Sequence, residues 1–564
     1  MNILFLMSED PNTAHQGIWM ENGSGGFMGD LVFHGGKFGM WVGNQQFTVR
    51  NVSISNAQTA IQGVWNWGWT FQGVQITNCG IGFDLLNGVG AEAIIDVTVQ
   101  DTPIFLRTAV PSNGTLVGSL VLNNIDLHNV TDAVAVVGGE VVLAGAPASK
   151  MHIDSWAQGN KFSGTNSTGA FQQDYVSAPP KAASLLDSQG RIFGRVHPQY
   201  EDHPVTDFVS VRDHGAVGDG KADDTQALQA VLDKYATSKI IFFDAGAYNI
   251  TSTLTLPAGS RIVGEAWSII SGSGPAFQDQ NNPTVMVRAG EPGSVGVMEI
   301  TDIVFTTAGP AAGAIVLEWN IKQSEQGSAG TWDTHIRLGG SAGTNLETAQ
   351  CLPESPELNC TAAFMALHLT PQSTGYFEVE QFANHGLDDK LETQLTIFSG
   401  RGILSESQGP VWMIGTAEHF TLYQYLLRNA QNHYMGLVQT EIPYFQPYKI
   451  PLPFPFHTSA VYGDPVFPPG INMAWAVLVT GSKNILIFGA GLYSFYSNYS
   501  QDCLQTRNCQ SHILSISKDS SVYIYSMATV ASTYQISVDG AGIVNQADNN
   551  NGFASTVTVW EPIE

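Results

Sequence analysis

Between residues 30 and 145, pairs of apolar residues flanking a single intervening residue recur along the chain: Leu31 and Phe33, Val52 and Ile54, Val74 and Ile76, Val97 and Val99, Ile125 and Leu127. Alternation of this kind marks a strand that buries one face. The copies are 21, 22, 23 and 28 residues apart, a solenoid-like period that a β-sandwich has no reason to keep. Four of the strands are followed in register by Asn56, Asn78, Asp101 and Asn129. Such short polar side chains bond the local backbone where a coil must turn. The pattern predicts a parallel β-helix over residues 1–145.

The period is lost over residues 146–205, which are rich in Ser, Gly, Pro and Ala and read as a connecting segment. A second module is expected over 206–564. It opens with "FVSVRDHGAVGDG", a strand and Gly-rich loop, and continues with "KADDTQALQAVLDKY". Asp223 and Gln226 have capping-box spacing there, and Leu228, Val231, Leu232 and Tyr235 form one apolar stripe, so a helix is predicted that covers the open end of a second β-helix. The first module shows no such cap. Its opening "NILFL" already reads as a coil strand, which predicts a first β-helix incomplete at its N-terminus. The same N-terminal stretch lacks the basic, apolar and small-residue regions of a signal peptide.

Composition agrees with a long, turn-rich β protein: 59 of the 564 residues are Gly and 13% are charged. A formal charge of −26 argues against nucleic acid or an anionic membrane as partner and leaves a neutral polymer compatible. No run approaches 18 apolar residues, so a membrane span is not expected. Of five cysteines, Cys351 and Cys360 bracket one loop and Cys503 and Cys509 another, and each pair could close a short disulfide; Cys79 stands alone in an apolar coil. N-x-S/T sequons at Asn22, Asn51, Asn113, Asn129, Asn166, Asn249, Asn359 and Asn498 point to an extracellular protein.

Candidate chemistry centres on Glu418 and Glu441. "IGTAE" and "LVQTE" align as successive copies 23 residues apart, placing Ile414 over Leu437 and Glu418 over Glu441. In a solenoid such residues stack about one strand spacing, roughly 4.8 Å, apart. Two carboxyls that close push one pKa up, so one can hold a proton as the acid while the other stays ionised as the base. That is the equipment for hydrolysing a glycosidic bond.

Several longer stretches, "TAHQGIWMENGSGGFMGDLVFHGG", "GNQQFTVRNVSISNAQTAI" and "WNWGWTF" in the first module, "DHGAVGDGKADDT" and "QTEIPYFQPY" in the second, resemble the fungal β-1,3-glucanases of glycoside hydrolase family 55. The resemblance covers essentially the whole chain, with "ENGSGG" and "QTEIPYFQP" together its specific part. It implies an all-β fold of two right-handed, pectate-lyase-like parallel β-helices side by side. It also implies a secreted enzyme that uses no metal or other cofactor, acts on β-1,3-glucan with inversion, mostly releases glucose from chain ends, and is expected to be a monomer. Carried over, Glu441 in "QTEIPY" matches the general acid and Glu418 the carboxylate that holds and deprotonates the attacking water. The family also positions that water with a Ser and a Gln from the first β-helix. Ser24 in "ENGSGG" is the best match for the serine; the glutamine is expected one coil before Met1, with Gln16 and Gln46 as weaker candidates.

Trp65, Trp67 and Trp69 alternate as strand residues do, so a ring such as that of Trp67 could meet a sugar while others pack inward. Tyr444, Tyr493 and Tyr496 are further stacking candidates. A polygalacturonase-like pectin hydrolase, using His385, Asp388 and Asp389 of "NHGLDD", is the nearest rival. It lacks a basic constellation to grip a polyuronate, and a pectate lyase would need a calcium-binding acidic cluster. A β-helix that only binds or structures glucan is the non-enzymatic alternative.

Overall fold

The computed structural model describes residues 3–352, 358–384 and 394–562, and is built almost wholly of strands. In the first module, β1 (Gly26–His34), β2 (Phe38–Ser55), β3 (Thr59–Thr77), β4 (Ala91–Gln100) and β5 (Ser119–Val136) pair in parallel, each with the next. The predicted copies stack as read: Leu31 pairs with Val52, Val52 with Val74, Ile76 with Val99 and Val97 with Ile125. Their side chains fill one continuous core. The opening strand is present as Ile3–Leu6, parallel to Leu31–His34, with Ile3, Leu4 and Leu6 exposed.

The coil corners explain the register of the polar residues. Asn56, Asn78, Asp101 and Asn129 all adopt left-handed φ angles, between +51° and +58°, a conformation Asn and Asp tolerate best among non-Gly residues. They also bond one another up the stack, Asn78 Nδ2 donating to Asn56 and Asn129 Nδ2 to Asp101, each at 2.9 Å. A second corner, Asp30, Asn51, Gly73, Asp96 and Asn124, repeats the device.

The second module stacks β7 (Gly246–Ile250), β8 (Arg261–Gly272), β9 (Met298–Thr307), β10 (His335–Leu338), β11 (Gly375–Asn384), β12 (Val411–Glu418), β13 (Gln431–Glu441), β14 (Lys483–Tyr493) and β15 (Val522–Val530) in parallel order. A second parallel sheet, running from Leu254–Leu256 to Ser532–Val538, faces it across the larger core. The predicted helix forms as α1 (Thr225–Tyr235), and Leu228, Val231 and Leu232 are buried against the first coils. Its predicted capping box does not form. The N-cap residue is Asp224, whose carboxylate instead accepts from Val217 and Gly218 N–H of the preceding loop at 2.6 and 3.0 Å. Asp223 accepts from Thr225 N–H at 3.1 Å. The box fails because the helix starts one residue later than the Asp223–Gln226 spacing requires, and the Asp223 carboxylate is also taken by the Thr251 hydroxyl at 2.7 Å.

The stretch read as a connector contains more than a linker. Strand β6 (Val141–Ser163) runs antiparallel to β5 and is followed by Ala170–Tyr175, antiparallel to it in turn. At its far end β6 pairs in parallel with β16 (Ala554–Glu561), which lies antiparallel to β15. One sheet thereby passes from the first β-helix into the second. A buried network reinforces the seam: Arg50 of β2 donates Nε–H to Glu378 of β11 at 2.7 Å, with Asp30 beside it. Both proposed disulfides are formed, Cys351–Cys360 and Cys503–Cys509, and Cys79 is a buried free thiol.

Candidate active site

The two glutamates are register partners. Offset between β12 and β13 is 22 residues up to Met413, opposite Met435, and 23 from Gly415, opposite Val438, onward to Glu418 and Glu441. The extra residue is taken up at Leu437, which has a φ of +46°. Ile414 and Leu437 therefore sit at the corner itself, and the last residues of both strands emerge on a new face. Bulges of this kind re-aim side chains beside active sites. Ala417 and Val438 point into the core, which turns Thr416 and Glu418, Gln439 and Glu441 to the outside of the sheet.

Glu441 accepts a hydrogen bond from the Tyr444 hydroxyl at 2.7 Å and lies 3.3 Å from His419 Nε2. Burial and the neighbouring Glu441 carboxylate push the Glu418 carboxyl up to about 7, against the opposing pull of His419 and a hydrogen bond from Gln439. Desolvation and these two carboxylates also hold the Tyr444 hydroxyl firmly protonated. A carboxyl whose pKa is raised beside a second carboxyl has the chemistry that acid–base work needs.

Aromatic rings wall the pair. Tyr444 packs on His419 at 4.6 Å and on Tyr496 at 4.1 Å between centroids. Tyr493 is the register partner of Glu441 on the next coil. Trp67 of the first β-helix meets Tyr493 edge-on at 5.2 Å and stacks on Phe553 at 5.2 Å. Trp69 packs inward between Phe47 and Phe71, while Trp65 and Trp67 are half-buried. The three rings divide between faces because β3 is 19 residues long and rounds a corner.

Ser24 and Gln46 come together. The side-chain amide of Gln46, itself buried, donates to the Ser24 carbonyl, and Ser24 is exposed in the bend before β1. Two residues further along β2, Thr48 bonds the Gly436 carbonyl of β13 at 3.1 Å, so this side of β2 is turned toward the strand that carries Glu441. Gln16 is exposed and pairs with Phe38. Gln46 Oε1, Thr416 Oγ1, Gln439 Oε1 and the Tyr493 hydroxyl are buried without a partner among the described residues. Unpaired polar atoms are rare in folded cores, and their concentration here suits a ligand rich in hydroxyls.

Sequence reasoning passed over His419 and Gln439. The signal for His419 was its place directly after Glu418; its φ of +64° turns it toward Glu441. His385, Asp388 and Asp389 lie outside the described residues. A grouping that could hold a cation, His197 with Asp302 and Asp333, has donor atoms within 4.8 Å of one another and involves neither glutamate.

A family model described as rhamnogalacturonase A/epimerase, pectate lyase-like, matches residues 1–84 and 208–327. The chain is 40% identical to a glucan 1,3-beta-glucosidase of Cochliobolus carbonum, over 99% of its own length and 72% of that protein. It is 36% identical to a probable glucan endo-1,3-beta-glucosidase of Arthroderma benhamiae, over 99% and 76%. Among solved structures, sacteLam55A from Streptomyces sp. SirexAA-E is 11% identical with a TM-score of 0.41, over 99% of this chain and 98% of that one. With relatives this similar spanning nearly its whole length, and with the in-register glutamates in the "QTEIPY" setting, the chain belongs to glycoside hydrolase family 55, the fungal β-1,3-glucanases.

Proposed function

We propose that this protein is a glycoside hydrolase that cleaves β-1,3-glucan of the laminarin type, acting from chain ends and releasing glucose with inversion. The observation that carries the reading is the register of Glu418 with Glu441 at a bulged corner, where one of the two carboxyls has its pKa raised to about 7. Inversion requires room for a water between acid and base, with carboxyl groups roughly 6.5–9.5 Å apart, so on this reading the two side chains diverge from their neighbouring coils. Glu441, in the setting the family uses for its acid, protonates the leaving oxygen. Glu418 deprotonates the attacking water, which Ser24 and the unpaired Gln46 Oε1 help to hold. Tyr444 orients Glu441 through its hydroxyl. Trp67 and Tyr496, both half-buried, supply the apolar surfaces on which a pyranose ring lies, with Tyr493 buried behind Trp67. Secretion follows from the same reading, in keeping with the sequons and disulfides.

One observation favours the exchanged roles: in the free enzyme the raised carboxyl is Glu418, and Glu441 is the one accepting the tyrosine hydrogen bond. Interacting carboxyls do not keep fixed protonation states through a catalytic cycle, and the one facing the leaving oxygen acts as the acid. Substitution separates the two. Glu441→Gln lowers glucose release from laminarin by about 10²–10⁴-fold while retaining far more activity on an aryl glucoside whose leaving group needs no proton. Glu418→Gln loses both. The reverse pattern would exchange the roles, and near-wild-type rates in both variants would remove the pair from the mechanism.

A further inference from the structure

Parallel register carries one file of outward-facing residues along the second β-helix. Asn249 pairs with Ser271, and Ser271 with Thr306. Phe305 pairs with Ile336, so Thr306 stands beside Arg337, and its hydroxyl donates to the Arg337 carbonyl at 2.6 Å. Arg337 then pairs with Ala383, Ala383 with Glu418, and Glu418 with Glu441. The flanking Tyr248, Ile270, Phe305, Ile336 and Ala417 are buried, which keeps Asn249, Ser271, Thr306, Arg337 and Glu418 on the outside. The catalytic pair is thus the far end of a row that begins on the first coils.

At the near end, Asn249, Ser271, Thr306 and Arg337 line a groove of about 700 Å³ together with Trp267, a volume in the range of ligand clefts. Trp267 is 77% exposed. It follows Ala266, whose φ is +61°, inside the register shift between Val263 and Ser268. A bulge of this sort re-aims side chains, and here it sets an indole beside a row of hydroxyl, amide and guanidinium groups. That combination matches a pyranose: the C–H face lies on the ring and the hydroxyls bond the polar row. Arg337 makes no ion pair among the described residues and exposes its donors. At about 4.8 Å per strand, Ser271 lies five steps, roughly 24 Å, from Glu441, a span that an oligosaccharide covers and a single sugar does not.

We infer that this groove is a distal binding site for a neutral β-glucan chain, on the same face as the catalytic pair. The inference rests on the hydrolase reading for its choice of ligand. Asn249 is also a sequon residue, so an N-glycan there would fill the groove itself.

Affinity electrophoresis in laminarin gels, comparing Glu441→Gln with Glu441→Gln/Trp267→Ala, tests it. The expected result is a roughly three- to tenfold loss of laminarin affinity in the double variant, with kcat/KM of Trp267→Ala on laminaribiose unchanged. Equal retention of the two proteins overturns the site. So does a matching fall on laminaribiose, which would place the effect of Trp267 in the catalytic centre. Mass spectrometry showing a glycan on Asn249 of the secreted protein also overturns it. Loss of retention in the double variant, in a protein whose unmodified form releases no sugar from laminarin, would leave the groove standing and defeat only the hydrolase reading.

Discussion

Trp67 and Tyr493 meet edge-on with ring centroids 5.2 Å apart and planes at 82°, one from each β-helix. Because Tyr493 is the register partner of Glu441, this contact fixes the first β-helix against the coil next to the strand that carries Glu441. Trp67→Ala is expected to destabilise the protein by about 2–3 kcal/mol, below the range for a fully buried Trp because the ring is half-buried. Laminarin hydrolysis falls with it. Trp67→Phe keeps most of both. Thermal unfolding and initial rates on the two variants check this, and an Ala variant with unchanged melting and rate would remove the contact from the account.

The pH dependence follows from Glu418, pushed up to about 7 by burial and the Glu441 carboxylate. Hydrolysis needs one proton in the pair, so kcat/KM on laminarin should fall as pH rises through about 7. The same group affects stability. Its folded pKa lies above its ordinary value of 4.5, so its contribution is fully present below that value and is lost as pH rises through about 7. Glu418→Gln removes the buried charge, and its melting temperature relative to wild type should therefore climb between about pH 4 and about pH 8. A difference that stays constant across that range contradicts the assignment.

The loop after Glu441 is pinned from below. Arg401 is fully buried, donates Nε–H to Asp464 at 2.7 Å and bonds the His457 carbonyl at 3.1 Å, with Phe364 beneath its guanidinium. Asp464→Ala leaves that buried cation without its counter-charge and should cost about 3–5 kcal/mol. Denaturant unfolding measures it. A loss under about 1 kcal/mol would mean the pair is not holding the loop.

How much of this could be read from the chain depended on which constraints were local. The first β-helix was legible because Val52, Val74 and their counterparts repeat their own pattern, and Asn56, Asn78, Asp101 and Asn129 advertise a corner in one-letter code. The other corner carries the same signal, since Asp30, Asn51, Asp96 and Asn124 are again Asn or Asp, with Gly73 supplying the left-handed φ in the copy between them. The Glu418–Glu441 register was legible from the 23-residue offset that the last residues of the two strands keep, from Gly415 and Val438 onward. The bulge at Leu437 that aims both side chains outward was not, since Leu gives no hint of a left-handed φ. Nor was the capping failure at Asp223, which depended on a helix start one residue later and on Thr251, 28 positions away, bonding the Asp223 carboxylate. Pairing of β6 with β16 joins residues about 400 positions apart, as Lys161 with Val559, and nothing near either strand encodes it.

The central claim is that Glu418 and Glu441 act together on one glycosidic bond, with water entering between them from the face opposite the leaving group. Proton NMR of the first sugar released from laminarin, recorded before mutarotation equilibrates the anomers, tests it directly. The account predicts that the α-anomer of glucose appears first and the β-anomer grows in afterwards. Initial accumulation of the β-anomer would mean a covalent intermediate and retention, and would contradict the two-carboxylate inverting mechanism.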